Sequence, residues 1–225
     1  MLGELRLEEG GRGGARRAEL YGMGVLRAWA DPDGWFGEGR VRRAGRALRR
    51  GGVGRVLAPA DFDRWDLLEQ AGLRPLDTGP FLRVQGPRLA LGCLERQGLA
   101  PDRSTVALVG GRADRDMARA AAALCPKVRS LVISAPRGGR ELALWLREEF
   151  GMAVLPRQAP AQVALNFCPG QEREEPALDL FGPVPRLGGL TLSAPALREE
   201  DRCSLPLLAA LWEGGRLGAE GLKIT

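Results

Sequence analysis

Along the chain the apolar residues change their spacing repeatedly, and each change marks an element. Leu2 to Leu7 and Ala18 to Trp29 read as extended, separated by the turn-prone stretch from Glu9 to Gly14, with Gly22 and Gly24 interrupting the second. Asp31 to Gly39 reads as a loop. Val41, Ala44, Ala47 and Leu48 then recur at helical spacing, with Arg42, Arg46, Arg49 and Arg50 opposite them. This predicts an amphipathic helix over 40–50 that ends at Gly51 and Gly52. Val53 to Ala58 reads as a short strand and Asp61 to Gln70 as a helix with early acids, closed by Gly72. A stretch marked by Pro and Gly, 74–80, leads to a helix between Pro87 and Gln97, and Pro101 to Ser104 reads as the joint between two halves.

Beyond that joint the alternation sharpens. Thr105 to Val109 is a predicted strand, Ala113 to Leu124 a helix, Val128 to Ser134 a strand, Arg140 to Phe150 a helix closed by Gly151, and Ala153 to Leu155 a strand. Val163 to Phe167 and Leu190 to Leu192 are further strand candidates, and Leu205 to Trp212 is a last helix. Strands alternating with helices of this length predict an α/β protein with a parallel sheet and right-handed crossovers. Two consecutive α/β units are expected, an N-terminal one over 1–103 and a second over 104–225.

Composition narrows the chemistry. The chain of 225 residues has no histidine, which removes the commonest general base, the commonest metal ligand and every Ser-His or Cys-His pair. Lysine occurs only at 127 and 223, and Tyr21 is the sole tyrosine. Cys93, Cys125, Cys168 and Cys203 lie far apart in apolar surroundings without CxxC spacing, so four buried free thiols, no metal and a reducing, cytoplasmic setting are expected. No apolar run reaches the length of a membrane span, and Glu4, Glu8 and Glu9 stand where a leader would be apolar; no membrane partner is expected. The net charge is +5 with arginine concentrated in the first 60 residues. Abundant Arg, Gly, Ala, Leu and Pro beside scarce Lys, Ile and Asn point to compositional bias rather than to a polyanionic ligand.

The segment Thr105-Val-Ala-Leu-Val-Gly-Gly-Arg-Ala-Asp-Arg-Asp-Met-Ala-Arg places Gly110 and Gly111 where a strand passes into a helix. In a dinucleotide site such glycines let the backbone turn tightly and approach a pyrophosphate at the helix N-terminus. The next strand ends at Ser134, followed by Ala-Pro-Arg137 and a helix ending Leu-Arg-Glu-Glu-Phe150-Gly. Over about 104–170 this layout resembles the Rossmann-type cofactor domain of the shikimate dehydrogenase and glutamyl-tRNA reductase group. The resemblance implies a Rossmann-like, mostly parallel second unit behind a substrate domain. Gly110 matches the first glycine of the fingerprint, while Arg112 and Arg115 occupy the second and third positions. That group's catalytic lysine has no counterpart, because the first 100 residues contain no lysine.

If a nucleotide binds, the expected contacts are Gly110, Gly111, Arg112, Ser134, Arg137 and Asn166. NADP is favoured over NAD, because Arg137 and Arg140 rather than an acid follow the second strand. Asn166 and Asp61 are the candidates for substrate contacts, and Cys168 is a candidate nucleophile with no base in view. The basic helix 40–50 could lie along phosphates of a nucleic acid, but without interleaved aromatics a solvated face is the expectation. Glu172, Glu174 and Glu175 are expected in a surface loop. The resulting expectation is a non-catalytic sensor or assembly protein with a degenerate nucleotide site. The alternatives are an NADP-linked reductase of a small metabolite, or phosphate or nucleic-acid binding through helix 40–50.

Overall fold

A computed structural model of the chain describes residues 1–33, 35–170, 173 and 176–225. They form two compact units, one of residues 1–76 and 198–219, the other of 77–197 and 220–225. The division thus falls after Leu76 and not after Arg103, and the chain returns to the first unit near its end. The reason is packing: the helix preceding the Pro101–Ser104 joint lies against elements that follow the joint.

In the first unit, β1 (Leu2–Leu7) is followed by β2 (Arg12–Leu20) and β3 (Met23–Ala30). The single strand expected over 18–29 is instead broken by a turn, its start being the end of β2 and the rest β3. Tyr21 and Gly22 both have positive φ (47° and 79°) between the paired residues Leu20 and Met23. A two-residue turn with φ positive at both positions matches the twist of paired strands, and a Tyr-Gly dipeptide does not announce it as Asn-Gly would. The helix α1 (Gly37–Arg50) carries the chain over to β4 (Arg55–Leu57). The sheet order is β2-β3-β1-β4 and then β5 (Arg74–Pro75), with β2 antiparallel to β3 and every other pairing parallel.

Val41, Ala44 and Leu48 of α1 are fully buried with Leu5, Leu26 and Val56 of the sheet. Each such aliphatic side chain contributes about 1.5–3 kcal/mol by leaving water. Helix and strand approach closely because Gly13 of β2, at φ 75°, has no side chain: a Cβ there would lie 2.8 Å from the Arg40 carbonyl. The helix expected over 61–70 shrinks to α2 (Trp65–Glu69), and Phe62 instead packs edge-on against Trp65 with ring centroids 5.4 Å apart.

The second unit opens with α3 (Gly79–Arg96), a turn or more longer than expected. Pro80, not Pro87, fills the first turn where proline's missing N–H is harmless, and Pro87 is carried inside the helix. The strands are β6 (Thr105–Val109), β7 (Ser130–Ser134), β8 (Ala153–Leu155), β9 (Val163–Asn166) and β10 (Ala177–Asp179), with α4 (Arg115–Leu124) and α5 (Gly139–Phe150) between the first three. Their order is β10-β9-β6-β7-β8 and all pairings are parallel. This is the doubly wound, Rossmann-like order, in which connections leave β6 toward one side and β9 toward the other. β10 was not expected, and Glu172, Glu174 and Glu175 just before it lie outside the described residues. α3 packs on α4 and β9, where Gly86 brings it close to Leu165 and Leu180.

The link from β8 to β9 is unusual for a parallel sheet, where a helix is the common crossover. Only Pro156–Gln162 make it. Leu155, Val132, Ala107 and Ala164 stand level in register, so the link crosses three strand spacings, about 14 Å, with almost no axial return. It lies flat because the face beneath is small: Ala107, Val109, Val132, Ala161 and Ala164 are buried together with Leu155, Ala159 and Ala177 against them.

The strand expected at 190–192 is β11 (Leu192–Ser193), which pairs antiparallel with β12 (Lys223–Ile224) at the chain's end. Between them α6 (Leu205–Glu213), expected in the second unit, belongs to the first. Glu213 there takes both contacts of Arg55 Nη1, at 2.8 and 3.1 Å. All four cysteines are free; Cys93 is buried and Cys125 and Cys168 half-buried, but Cys203 is exposed, because its turn before α6 lies at the surface. Among the described residues no helix is long and apolar enough to cross a membrane.

Enlarging a side chain beneath the flat crossover should strain it. Ala164→Leu is expected to destabilise the protein by about 1–3 kcal/mol in urea titration, the usual penalty of overpacking. The exposed Ala153→Leu, also on a strand of that sheet, should change stability by less than about 0.5 kcal/mol.

Candidate functional site

Open parallel sheets collect ligands at the carboxyl ends of their strands, beside the position where the connections diverge. In the second unit that position lies between β6 and β9. Val109, Ser134, Asn166 and Asp179 stand level there and share one face of the sheet, since register partners and residues two apart point the same way.

The glycine turn after β6 is closed by its own surroundings. Gly110 N–H donates to the Ser134 carbonyl (3.0 Å), Gly111 N–H to Cys168 Sγ (3.1 Å), and Ala113 N–H to the Arg137 carbonyl (2.8 Å). Arg112 and Arg137 form an isolated parallel bridge that prolongs the β6–β7 pairing beyond the strands. At the start of α4 the Asp114 carboxylate caps the helix, accepting from Met117 N–H at 2.9 Å, and Asp116 in the first turn pairs with Arg83 at 3.0 Å. Backbone donors and positive helix end that would serve a pyrophosphate thus face groups of the protein itself. Gly110 also has a packing role: a Cβ there would come within 2.8 Å of Met117 Cε.

The structure therefore draws together Gly110 with Ser134, Gly111 with Cys168, and Arg112 with Arg137, through backbone or sulfur contacts. The side chains of Arg112, Arg137 and Arg140 are exposed. Asn166 is buried and turned along the sheet: its Nδ2 donates to Asp179 Oδ1 at 2.9 Å, while its Oδ1 is buried without a partner among the described residues. Asp61 belongs to the other unit and does not join this group. Cys168 has its sulfur engaged by Gly111, and burial raises the pKa of the half-buried Cys125 thiol.

Three residues unforeseen in the sequence complete the arrangement. Arg157, in the flat crossover, donates from Nε to Ser134 Oγ at 2.9 Å. Arg186 Nε meets Asp179 Oδ2 at 2.6 Å, and Arg173 ties down the crossover through the carbonyls of Arg157 and Ala159 at 3.1 and 2.6 Å. All three lie in connecting segments outside the strands, where no periodicity marks them. Among the described residues no group of three or more acids or thiols could hold a metal.

The basic face of α1 is exposed at Arg42, Arg43, Arg46, Arg49 and Arg50. Arg46 and Arg50 fold back to the carbonyls of Arg42 and Arg46, both at 3.4 Å, and Arg42 pairs with Glu38 one turn away. Trp35 and Phe36, both exposed, stand at one end of the helix and not among the arginines.

No protein family and no curated protein sequence matches the chain. Solved structures do. It is similar to L-tryptophan dehydrogenase from Nostoc punctiforme, at 17% identity and a TM-score of 0.33, over 64% of this chain and 44% of that one. It is also similar to the apo form of D-lactate dehydrogenase from Escherichia coli, at 12% identity and 0.36, over 76% of this chain and 66% of that one. The chain spans less than two thirds of the length of either. The Rossmann-like assignment of the second unit stands on its strand order and parallel register.

The cap on α4 can be weighed directly. Asp114→Ala is expected to lower stability by about 1 kcal/mol in urea titration with an unchanged slope, whereas Asp114→Ser should retain most of it, because a hydroxyl also accepts from the third N–H of a helix.

Proposed function

We propose that the protein is a non-catalytic sensor or assembly protein whose Rossmann-like unit keeps the architecture of a nucleotide domain with its phosphate cradle closed. The observation that carries this reading is the engagement of Gly110, Gly111 and Ala113 N–H by protein acceptors, with the Asp114 carboxylate on the helix end. An incoming diphosphate would have to displace those acceptors and sit beside a fixed negative charge. Catalysis by a histidine pair is excluded by composition, and the sulfur of Cys168 is met by the Gly111 N–H, a donor and not a base. Four unpaired cysteines fit a reducing compartment, and a cytoplasmic location is part of the proposal.

A second reading, an NADP-linked reductase, is favoured by one feature. The end of β7 carries Ser134 bonded to Arg157, with Arg137 and Arg140 exposed beyond it and no acid, which suits a 2′-phosphate better than a free ribose hydroxyl. In that case the cofactor would supply the hydride chemistry and the chain would position it.

Thermal melts separate the two. Neither NADPH nor NADH at millimolar concentration is expected to raise the melting temperature. A triple variant that restores an open turn, Arg112→Gly with Asp114→Ser and Arg115→Gly, should gain a response to NADPH. A rise with NADPH but not NADH in the natural protein, lost in Arg137→Ala, would establish the reductase reading instead; a contact of this kind is worth about 1.5–3 kcal/mol.

A further inference from the structure

The first unit holds a cleft of about 430 Å³ lined by the carboxyl half of β1, residues 57–60 after β4, and the segment that leads into α6. Its floor contains a charge where strands are normally apolar. Glu4, only 7% exposed, takes Arg6 Nε on one carboxylate oxygen at 2.8 Å and Arg27 Nε on the other at 2.6 Å. One carboxylate between two guanidinium groups leaves a positive charge in excess. Arg6 is the open end of the triad: its Nη atoms have no partner among the described residues, and its side chain is 43% exposed to the cleft. A fork held through Nε with both Nη groups free is shaped to receive a carboxylate.

The opposite charge is held across the cleft with equal care. Asp201 accepts the Tyr21 hydroxyl on Oδ2 at 2.5 Å and has no partner on Oδ1 among the described residues. Tyr21 is the sole residue other than glycine with positive φ among those described. The hairpin turn sets this conformation, and it leaves the Tyr21 hydroxyl in reach of a residue 180 positions later. Burial and the neighbouring Asp201 raise the pKa of Tyr21, so the phenol stays a donor. Glu200, adjacent and exposed, also lines the cleft, with Arg198 Nη1 3.9 Å from its carboxylate. Leu20, Leu57 and Leu207 wall the space between, where fewer waters screen the charges.

We propose that this cleft binds a small zwitterion bearing a carboxylate and an ammonium group, the charge pattern of a free amino acid, with Arg6 taking the carboxylate and Asp201 the ammonium. A simple anion would meet Asp201 and Glu200; a simple cation would meet Arg6 and Arg27. Only a ligand carrying both charges satisfies both walls. Every residue involved lies in the first unit, so the inference is independent of whether the second unit takes a nucleotide.

Isothermal titration of the full chain with each standard amino acid, and with propionate and ethylamine as single-charge analogues, tests it. At least one amino acid should bind with a submillimolar Kd, and propionate and ethylamine should bind at least about tenfold more weakly. Arg6→Gln and Asp201→Asn should each weaken the best ligand by about tenfold or more, while Arg112→Gly leaves it unchanged. Should Arg6→Gln unfold because Glu4 loses a partner, Asp201→Asn, which preserves the shape and an acceptor for Tyr21, decides alone. The proposal is overturned if no amino acid binds at tens of millimolar, if propionate binds as tightly as alanine, or if Asp201→Asn binds like the natural protein.

Discussion

Seven residues must carry the chain from β8 across β7 and β6 to β9, and much of the second unit follows from that shortness. A link of this length cannot hold a helix, so it must lie on the sheet. Lying on the sheet, it requires alanine at 107, 159, 161 and 164, because a larger side chain would lift it off. It also requires β8 to stop halfway up the sheet, at the level of Val132, so that no residues are consumed in an axial return. The face that in a doubly wound fold commonly carries further helices is here covered in part by a strap. Arg173 holds the strap by two of its carbonyls, and Arg157, within it, is thereby placed over Ser134.

The same economy explains the glycine turn. A strand-glycine-helix passage has two independent uses: it admits a phosphate to the backbone, and it lets a helix lie close to the strand it follows. The sequence cannot distinguish them, since both demand glycine at the same place. In this chain Gly110 answers to the second, with Met117 packed where its Cβ would be. With the turn's donors bonded to Ser134, Cys168 and Arg137, no anion is needed to satisfy them. Arginine can then stand at 112 and 115, facing water, where a dinucleotide would have required glycine.

The alternation of strands and helices was legible because buried parallel strands are continuous apolar runs and the helices between them keep their period. What could not be read had specific causes. β10 is three residues long and follows an acidic stretch, so no period develops. Pro87 looked like a helix start because proline favours the first turn, yet Pro80 already held that role. The hairpin turn was hidden in Tyr21-Gly22, a pair that lacks the Asn-Gly signature of its turn type. Membership of α6 in the first unit was equally hidden, because the partners of Glu213 and Asp201 are Arg55 and Tyr21, and long-range ion pairs leave no local pattern. Of the site residues, those at the glycine turn and the expected strand ends were found, whereas Asp179 on the unforeseen β10 and the loop arginines Arg157, Arg173 and Arg186 were not.

Buried charge then becomes the more informative sign of where the chain is specialised. In the second unit the polar row at the strand ends is largely self-satisfied: Ser134 with Arg157, and Asn166 with Asp179 and Arg186, leaving one amide oxygen over. In the first unit Glu4 is placed in the middle of a strand with two arginines, although an apolar residue would have packed there without desolvating an ion. A buried ion pair is a poor means of stabilising a sheet, and two guanidinium groups sharing one carboxylate are poorer still unless the surplus charge has a further partner. The surplus sits on Arg6, at the open edge of a cleft, opposite a carboxylate that a strained tyrosine holds in place. The second unit thus bonds the polar groups of its strand ends to one another, whereas the first keeps the Nη groups of Arg6 without a partner among the described residues.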